Sequence, residues 1–410
     1  MTDPVSTFSQ RSGLVVFCQH GIADPLVGPL MLDYVLRLQR TAPTRDVLFF
    51  TEEPKDATVP TGIADVLAAA RVQWLPLSYD VRGSQWWQRF RNLWRMLNTV
   101  RRFRRTHKNT WLLGYLSYGG SYAIIASMLG MGPCLVVCFE PHSRYMVELG
   151  IWGPRSMRML VTGWLERVQM RCSAAIIVPT SAVRDLVAQQ RKRAHVILQG
   201  ITIDVDAARF DPAARTRIRD RFGWVDEAVL VYVGKFGGIY HTVDAYVRFM
   251  AAVAVADPLI RFLIITQEVS IELLRSHASF AALADRVVLQ PPVPPAELHQ
   301  FLSAADLGVV AVPPAPSQAF RTPVKSAHYW AAGLPLVIPQ GVSDDALIAA
   351  ADRVGIVVND LPVNDTSGFV RDLRSLLAGD RQALRERCMA IAFKYRDTPN
   401  MVHEIKKIIS

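Results

Sequence analysis

Short apolar runs recur along this chain, separated by longer stretches whose apolar residues return every three to four positions, and that alternation limits the fold more than any other feature. A strand buried on both faces reads as a continuous apolar run, and parallel neighbours need a crossover helix between them. The first half predicts strands at residues 14–18, 47–50, 72–77, 111–116, 135–139 and 175–178, closing near 196–198. The second predicts them at 229–233, 261–266, 287–289, 307–312, 336–338 and 356–358. This is α/β patterning repeated twice, as two doubly wound domains would give. The 410 residues suit two domains of about 200 each. From Gln199 through Asp204 to Arg221 no strand pattern appears, so the expected division is 1–204, 205–390 and a charged helical segment 391–410 containing Pro399.

Half of the residues are apolar and a fifth are charged, which excludes a wholly disordered chain. The five cysteines form no CxxC pair with zinc-ligand spacing, and Cys134 and Cys138 sit inside an apolar run, so a reducing, cytoplasmic setting is expected. The first residues lack a basic segment followed by an apolar core, and no run reaches the roughly 18 apolar residues of a membrane span. A net charge of +10 calls for an anionic partner.

That partner has a candidate site in the second half. The run from Asp306 to Val312 is stopped by Pro313-Pro314-Ala315-Pro316, which puts Ser317, Phe320 and Arg321 at the carboxyl end of a parallel strand, where open α/β sheets bind ligands. Pro323 suits the start of the next helix and Gly333 its left-handed end. Lys325 then stands in the first turn beside free N–H groups and the positive end of the helix dipole, where a phosphate is stabilised. An ordinary strand-loop-helix unit with a solvated lysine fits the same spacing. Earlier, Gly234-Lys235-Phe236-Gly237-Gly238 follows a buried strand, so the backbone there can approach a phosphate with Lys235 supplying charge.

In the first half, Gln19-His20-Gly21 joins the first strand to its helix, and Gly21 either permits close approach of a ligand or serves a plain turn. The apolar run to Phe139 emerges into Glu140-Pro141-His142, placing two ionisable groups at the carboxyl edge. Residues 82–108 hold nine Lys/Arg and no acid. Trp86, Phe90, Leu93, Leu97 and Val100 are expected on one helical face, with Arg91, Arg95 and Arg102 opposite. Trp86, Trp87 and these arginines suit an anionic membrane surface; the alternative is a crossover helix with solvated arginines. No nucleic-acid motif accompanies them. Asp344-Asp345 reads as a helix start, and no metal-ligand cluster is apparent.

The segment Pro323-Val324-Lys325-Ser326-Ala327-His328-Tyr329-Trp330-Ala331-Ala332-Gly333-Leu334-Pro335, preceded by Ala305-Asp306 and a strand, resembles the donor-site signature of GT-B glycosyltransferases of family 4. Tyr232-Val233-Gly234-Lys235 is similar to that family's strand and Gly-Arg turn, and residues 196–204 to its interdomain junction. The resemblance spans roughly residues 134–360. It implies two Rossmann-like domains facing across a cleft, acceptor-side first and donor-side second, with the C-terminal helix returning to the first. It further implies a nucleotide diphosphate sugar, UDP- or GDP-linked, as co-substrate, with no other cofactor and no metal. The sugar would pass with retention to a lipid-linked or glycan acceptor in cell-surface polysaccharide or glycolipid synthesis, at the inner membrane face. Donor contacts are then expected from Gly234, Lys235, Gly237, Ser317, Arg321, Lys325 and His328, and catalytic roles from His142 and Glu140. The family's two donor-site glutamates are replaced by Phe320 and His328. A nucleotide-sugar epimerase or hydrolase on the same fold, and a binding protein without transfer, are the rival readings.

Overall fold

The computed structural model describes residues 12–24, 27–41, 45–59, 61–80, 82, 85–138, 140–191 and 195–410, apart from the side chains of residues 28–30, 85 and 86. It divides into two compact units, Met1–Leu198 with Pro399–Ser410, and Gln199–Thr398.

In the first unit β1 (Ser12–Cys18), β2 (Asp46–Pro54), β3 (Val72–Tyr79), β4 (Asn109–Tyr115), β5 (Cys134–Val137), β6 (Ala175–Val178) and β7 (His195–Leu198) form a sheet in the order β3-β2-β1-β4-β5-β6-β7. The described pairs are parallel, with Gly13 opposite Asp46 on β2 and Thr110 on β4. The chain therefore winds outward in one direction to β3, crosses back, and winds in the other. With right-handed crossovers, the helices after β3 share one face of the sheet. The second unit repeats this plan. Its β8 (Ala228–Val233), β9 (Ile260–Ile265), β10 (Val287–Gln290), β11 (Leu307–Val309), β12 (Leu336–Pro339) and β13 (Gly355–Val358) run β10-β9-β8-β11-β12-β13.

Period-two geometry explains why these strands read as unbroken apolar runs. Val229 and Val231 of β8 enter one core with Leu263, Leu336 and Trp330, whereas Leu230 and Tyr232 enter another with Phe262, Phe249 and Val337. Both sheet faces are covered, so successive positions of β8 all select apolar side chains.

The amino edge of the second sheet is fastened at Asp306. Its carboxylate accepts hydrogen bonds from Arg215 (2.8 Å), Arg219 (3.2 Å), Arg381 (2.7 Å) and the Val229 N–H (2.9 Å). Burial alone would raise its pKa, but Arg215, Arg381, the Val229 N–H and Arg219 hold it below the usual carboxylate range. Asp306, at the head of the signature segment, is thus a structural clamp at the end of β11 opposite Lys325.

Several boundaries differ from the sequence reading for local reasons. Strand β4 stops at Tyr115 because Leu116 turns into the left-handed region (φ 63°) and opens a helix. Strand β11 ends at Val309, short of the prolines. Phe139 lies outside the described residues. At the end of the chain, helix Arg381–Arg396 belongs to the second unit, and Ile203 pairs with Asp397 there. Helix Thr398–Ile409 then returns to the first, where the Ile409 carbonyl accepts from Arg45 at 2.8 Å.

Candidate functional site

Helix Val324–Ala331 follows β11 and starts at the carboxyl edge with Pro323 at its N-cap, where no side chain among the described residues caps the first turn. Its other end closes as expected: Gly333 has φ 68°, with Gly333 N–H to Trp330 C=O at 3.0 Å and Leu334 N–H to Tyr329 C=O at 2.8 Å. Lys325, one residue into the helix, is buried and its Nζ has no hydrogen-bond partner among the described residues. The ammonium lies 4.2 Å from the ring centre of Tyr240 and 4.5 Å from that of Tyr232. Desolvation lowers its pKa from 10.5 to about 7. The solvated-lysine alternative is therefore excluded.

The glycine turn lies directly above it. A Cβ at Gly234 would come within 3.3 Å of Lys325 Nζ, and Gly234 itself has φ 132°, which a side-chain-bearing residue rarely adopts. The turn is braced by Tyr232, whose hydroxyl donates to the Lys235 carbonyl, and closed by Gly237 N–H to His241 C=O at 3.0 Å. Lys235 is exposed. Gly237, with φ 79° and open space where a Cβ would lie, is required by its backbone rather than by a neighbour.

Other polar atoms along this edge also lack partners among the described residues. They are Thr266 Oγ1 after β9, Ser326 Oγ beside Lys325, and Ser343 Oγ after β12. Buried hydroxyls are normally satisfied, so unsatisfied ones gathered along a carboxyl edge suit a polar ligand. Ser343 also holds φ 61°, fixed by its N–H bond to the Gln318 carbonyl at 3.0 Å. Ser317 is buried in the 3₁₀ turn Pro316–Phe320, and Arg321 follows it, half-buried. His328 is partly accessible by area yet desolvated by the protein around its ring, which lowers its pKa to about 4 and leaves it neutral. A neutral imidazole can still bond a sugar hydroxyl.

In the first unit, His142 opens helix His142–Glu148, its Nδ1 3.5 Å from Glu140 Oε1. The ring meets Trp152 edge-on at 5.5 Å and Tyr118 at 6.1 Å. This helix is pinned by buried Glu166, which accepts from the Ser143 N–H (3.0 Å), Ser143 Oγ (2.6 Å) and Ser117 Oγ (3.1 Å). Burial raises the Glu166 carboxyl despite those bonds.

One expectation gains a neighbour and another needs correction. At Gly21 the space a side chain would fill is already occupied, since a Cβ there would lie 2.4 Å from Glu53 Oε2, and Ile22 N–H donates to Glu53 at 2.7 Å. Its close approach is to Glu53. Helix Gln85–Thr106 does not pack through Phe90: Asn92, Met96 and Val100 form its buried face, while Trp87, Phe90 and Trp94 are 73%, 62% and 63% exposed. Arg91, Arg95 and Arg102 are exposed as expected, and the Trp86 side chain lies outside the described residues.

The sequence reading missed Tyr232, Tyr240, Glu53 and Glu166. Tyr232 breaks the aliphatic run of β8 just before the glycine turn, a readable signal, whereas Tyr240 sits in a loop, Glu53 near the end of β2 and Glu166 inside a helix, none with a marked pattern.

No family model matches the sequence, and no curated protein does. Solved structures do match over nearly the whole chain. HepE of Anabaena in complex with UDP gives a TM-score of 0.68 at 12% identity, covering 97% of this chain and 98% of that one. Sucrose-phosphate synthase of Thermosynechococcus elongatus gives 0.67 at 15% identity, with coverage of 97% and 98%. WaaG, a glycosyltransferase involved in lipopolysaccharide biosynthesis, gives 0.63 at 14%, with 97% and 99%. The fold is GT-B.

Proposed function

We propose that this chain is a GT-B glycosyltransferase that moves a sugar from a nucleotide diphosphate sugar to a lipid-linked or glycan acceptor. The observation that carries the reading is Lys325, a buried ammonium with no hydrogen-bond partner among the described residues, lodged beneath a glycine turn at the carboxyl edge. A cation held out of water with no counter-charge is costly, and a diphosphate supplies that charge. That HepE was solved with UDP, and that WaaG acts in lipopolysaccharide assembly, supports the same reading.

Lys325, exposed Lys235 and the uncapped N–H groups of helix Val324–Ala331 would stabilise charge as it develops on the leaving diphosphate. Neutral His328 would bond the ribose, and Ser317 and Arg321 would contact the donor. Gly237 would let the turn follow the phosphates. In the first unit, His142 and Glu140 are the groups proposed to meet the transferred sugar. Retention follows if the leaving diphosphate itself takes the acceptor proton. The exposed Trp87, Phe90 and Trp94 stripe beside Arg91, Arg95 and Arg102 supports peripheral contact with an anionic membrane, at the inner face and in polysaccharide or glycolipid assembly.

One observation favours a second reading. Phe320 stands where the resembled family has a carboxylate and can make no hydrogen bond to a sugar, as a binding protein without turnover would allow. A panel of UDP- and GDP-sugars incubated with lipid and glycan acceptors separates the possibilities. Nucleotide release with a glycosylated product supports transfer. Donor conversion without an acceptor supports an epimerase or hydrolase, and saturable binding without conversion supports the binding protein.

A further inference from the structure

Helix Met157–Cys172 carries a second apolar stripe that the described residues leave uncovered. Met157, Leu160 and Trp164 are 69%, 48% and 55% exposed, and Ile151 just before the helix is 61% exposed. These helical residues fall at i, i+3 and i+7, one face of an α-helix, and Arg167 and Arg171 continue the same face at i+10 and i+14. Core packing does not explain them, because the helix buries its opposite side through Thr162, Glu166 and Gln169. Its sole acid, Glu166, is consumed by Ser117 and Ser143, so the outward face is apolar and basic.

Helix Gln85–Thr106 repeats this design, with Trp87, Phe90 and Trp94 at i, i+3 and i+7 and exposed Arg101 and Arg105 beyond them. The two helices flank helix Leu116–Met128. Arg89 stacks on Tyr118 at 4.8 Å on one side, while Glu166 and Gln169 bond Ser117 on the other. Both follow strands at their carboxyl ends and lead to the amino ends of β4 and β6. Their aromatic halves therefore lie toward the carboxyl edge, the edge that carries Glu140 and His142.

We propose that helix Met157–Cys172 is a second membrane-contacting element, acting with helix Gln85–Thr106 to seat the first unit on an anionic bilayer. This inference rests on the peripheral-membrane reading above and adds a specific element to it. The occupant is a lipid surface because a partly inserted aromatic-aliphatic stripe flanked by arginines, on a helix whose one acid is buried, matches anionic headgroups over acyl chains. Arg155 and Arg158, both exposed, extend the cationic margin. Seated this way, the surface would deliver a lipid-borne acceptor to the edge where His142 sits.

The test is co-sedimentation of the full chain with vesicles of phosphatidylglycerol and phosphatidylcholine, alongside pure phosphatidylcholine. Leu160→Ser/Trp164→Ser should lower partitioning onto the anionic vesicles by about tenfold or more, since each exposed side chain removes apolar area that would otherwise leave water. Arg158→Gln/Arg167→Gln should lower it several-fold at low salt and little at high salt. Unaltered circular dichroism and melting verify that these surface variants fold. If Trp87→Ser/Phe90→Ser/Trp94→Ser abolishes vesicle binding while Leu160→Ser/Trp164→Ser binds like wild type, this inference is overturned and the peripheral reading stands. If the wild type binds no vesicle, both fall. Wild-type dimerisation that disappears in Leu160→Ser/Trp164→Ser, without vesicle binding, would assign the stripe to a second copy of the chain and overturn the proposal.

Discussion

Replacing Lys325 by methionine should stabilise the free protein and abolish its donor binding together. Lys325 is buried without a hydrogen-bond partner among the described residues, and its pKa falls from 10.5 to about 7. In the unfolded chain the ammonium stays protonated to about pH 10.4. Between pH 7 and that value the unfolded state binds more protons than the folded one, so stability rises with pH across this window. Below pH 7 the cost is fully present. At 1.36 kcal/mol per unit it amounts to about 5 kcal/mol. The ring faces of Tyr232 and Tyr240 offset it by about 2 kcal/mol. Methionine nearly matches the stem's volume and packs well on aromatic rings. Lys325→Met should therefore gain about 2–4 kcal/mol at pH 6, a gain that vanishes near pH 10. Urea denaturation at pH 6, 7.5 and 9 reads both the gain and the slope. A variant no more stable than wild type at pH 6, with the rise toward pH 9 intact, would show that Lys325 is not held against a desolvation cost.

Asp306→Ala should cost about 3–5 kcal/mol in urea denaturation, because Arg219 is left buried without its counter-ion. Since the native Asp306 pKa is depressed, the wild type keeps this contribution above about pH 4 and loses it as the pH falls further; the variant should lack that acid-side loss. Gly308→Ala should cost about 1–3 kcal/mol by the same measurement, as its Cβ would lie 2.3 Å from the Tyr329 ring, whose hydroxyl holds β8 through Val233 N–H. His142→Ala should slow glycosyl transfer by about 100-fold while leaving UDP affinity unchanged by calorimetry, a split that a folding defect would not produce.

The sheets were legible because strands buried on both faces leave unbroken apolar runs, and β1, β8 and β9 fall where such runs stand. The Gly333 cap was legible for a similar reason: a left-handed residue at a helix end nearly demands glycine. Side-chain contacts were less so. The exposure of Phe90 was missed because helix Gln85–Thr106 has aromatics on more than one face, and periodicity alone does not say which one the sheet covers. Gly21 was read either as room for a ligand or as a plain turn; its neighbour Glu53 is 32 positions away, and no local pattern links a turn glycine to a distant carboxylate. Lys325 was found by its place at a helix start. Its burial depends on Tyr232 and Tyr240, which only the fold brings over it.

On the proposed function, a nucleoside diphosphate binds at the Gly234 turn and Lys325. Isothermal titration of the protein with UDP and GDP at pH 8, in buffers of different ionisation enthalpy, tests it most directly. A diphosphate beside Lys325 should restore its proton, so binding should saturate with net proton uptake, both lost in Lys325→Met. Binding that survives the substitution with the same affinity and no proton uptake would contradict it.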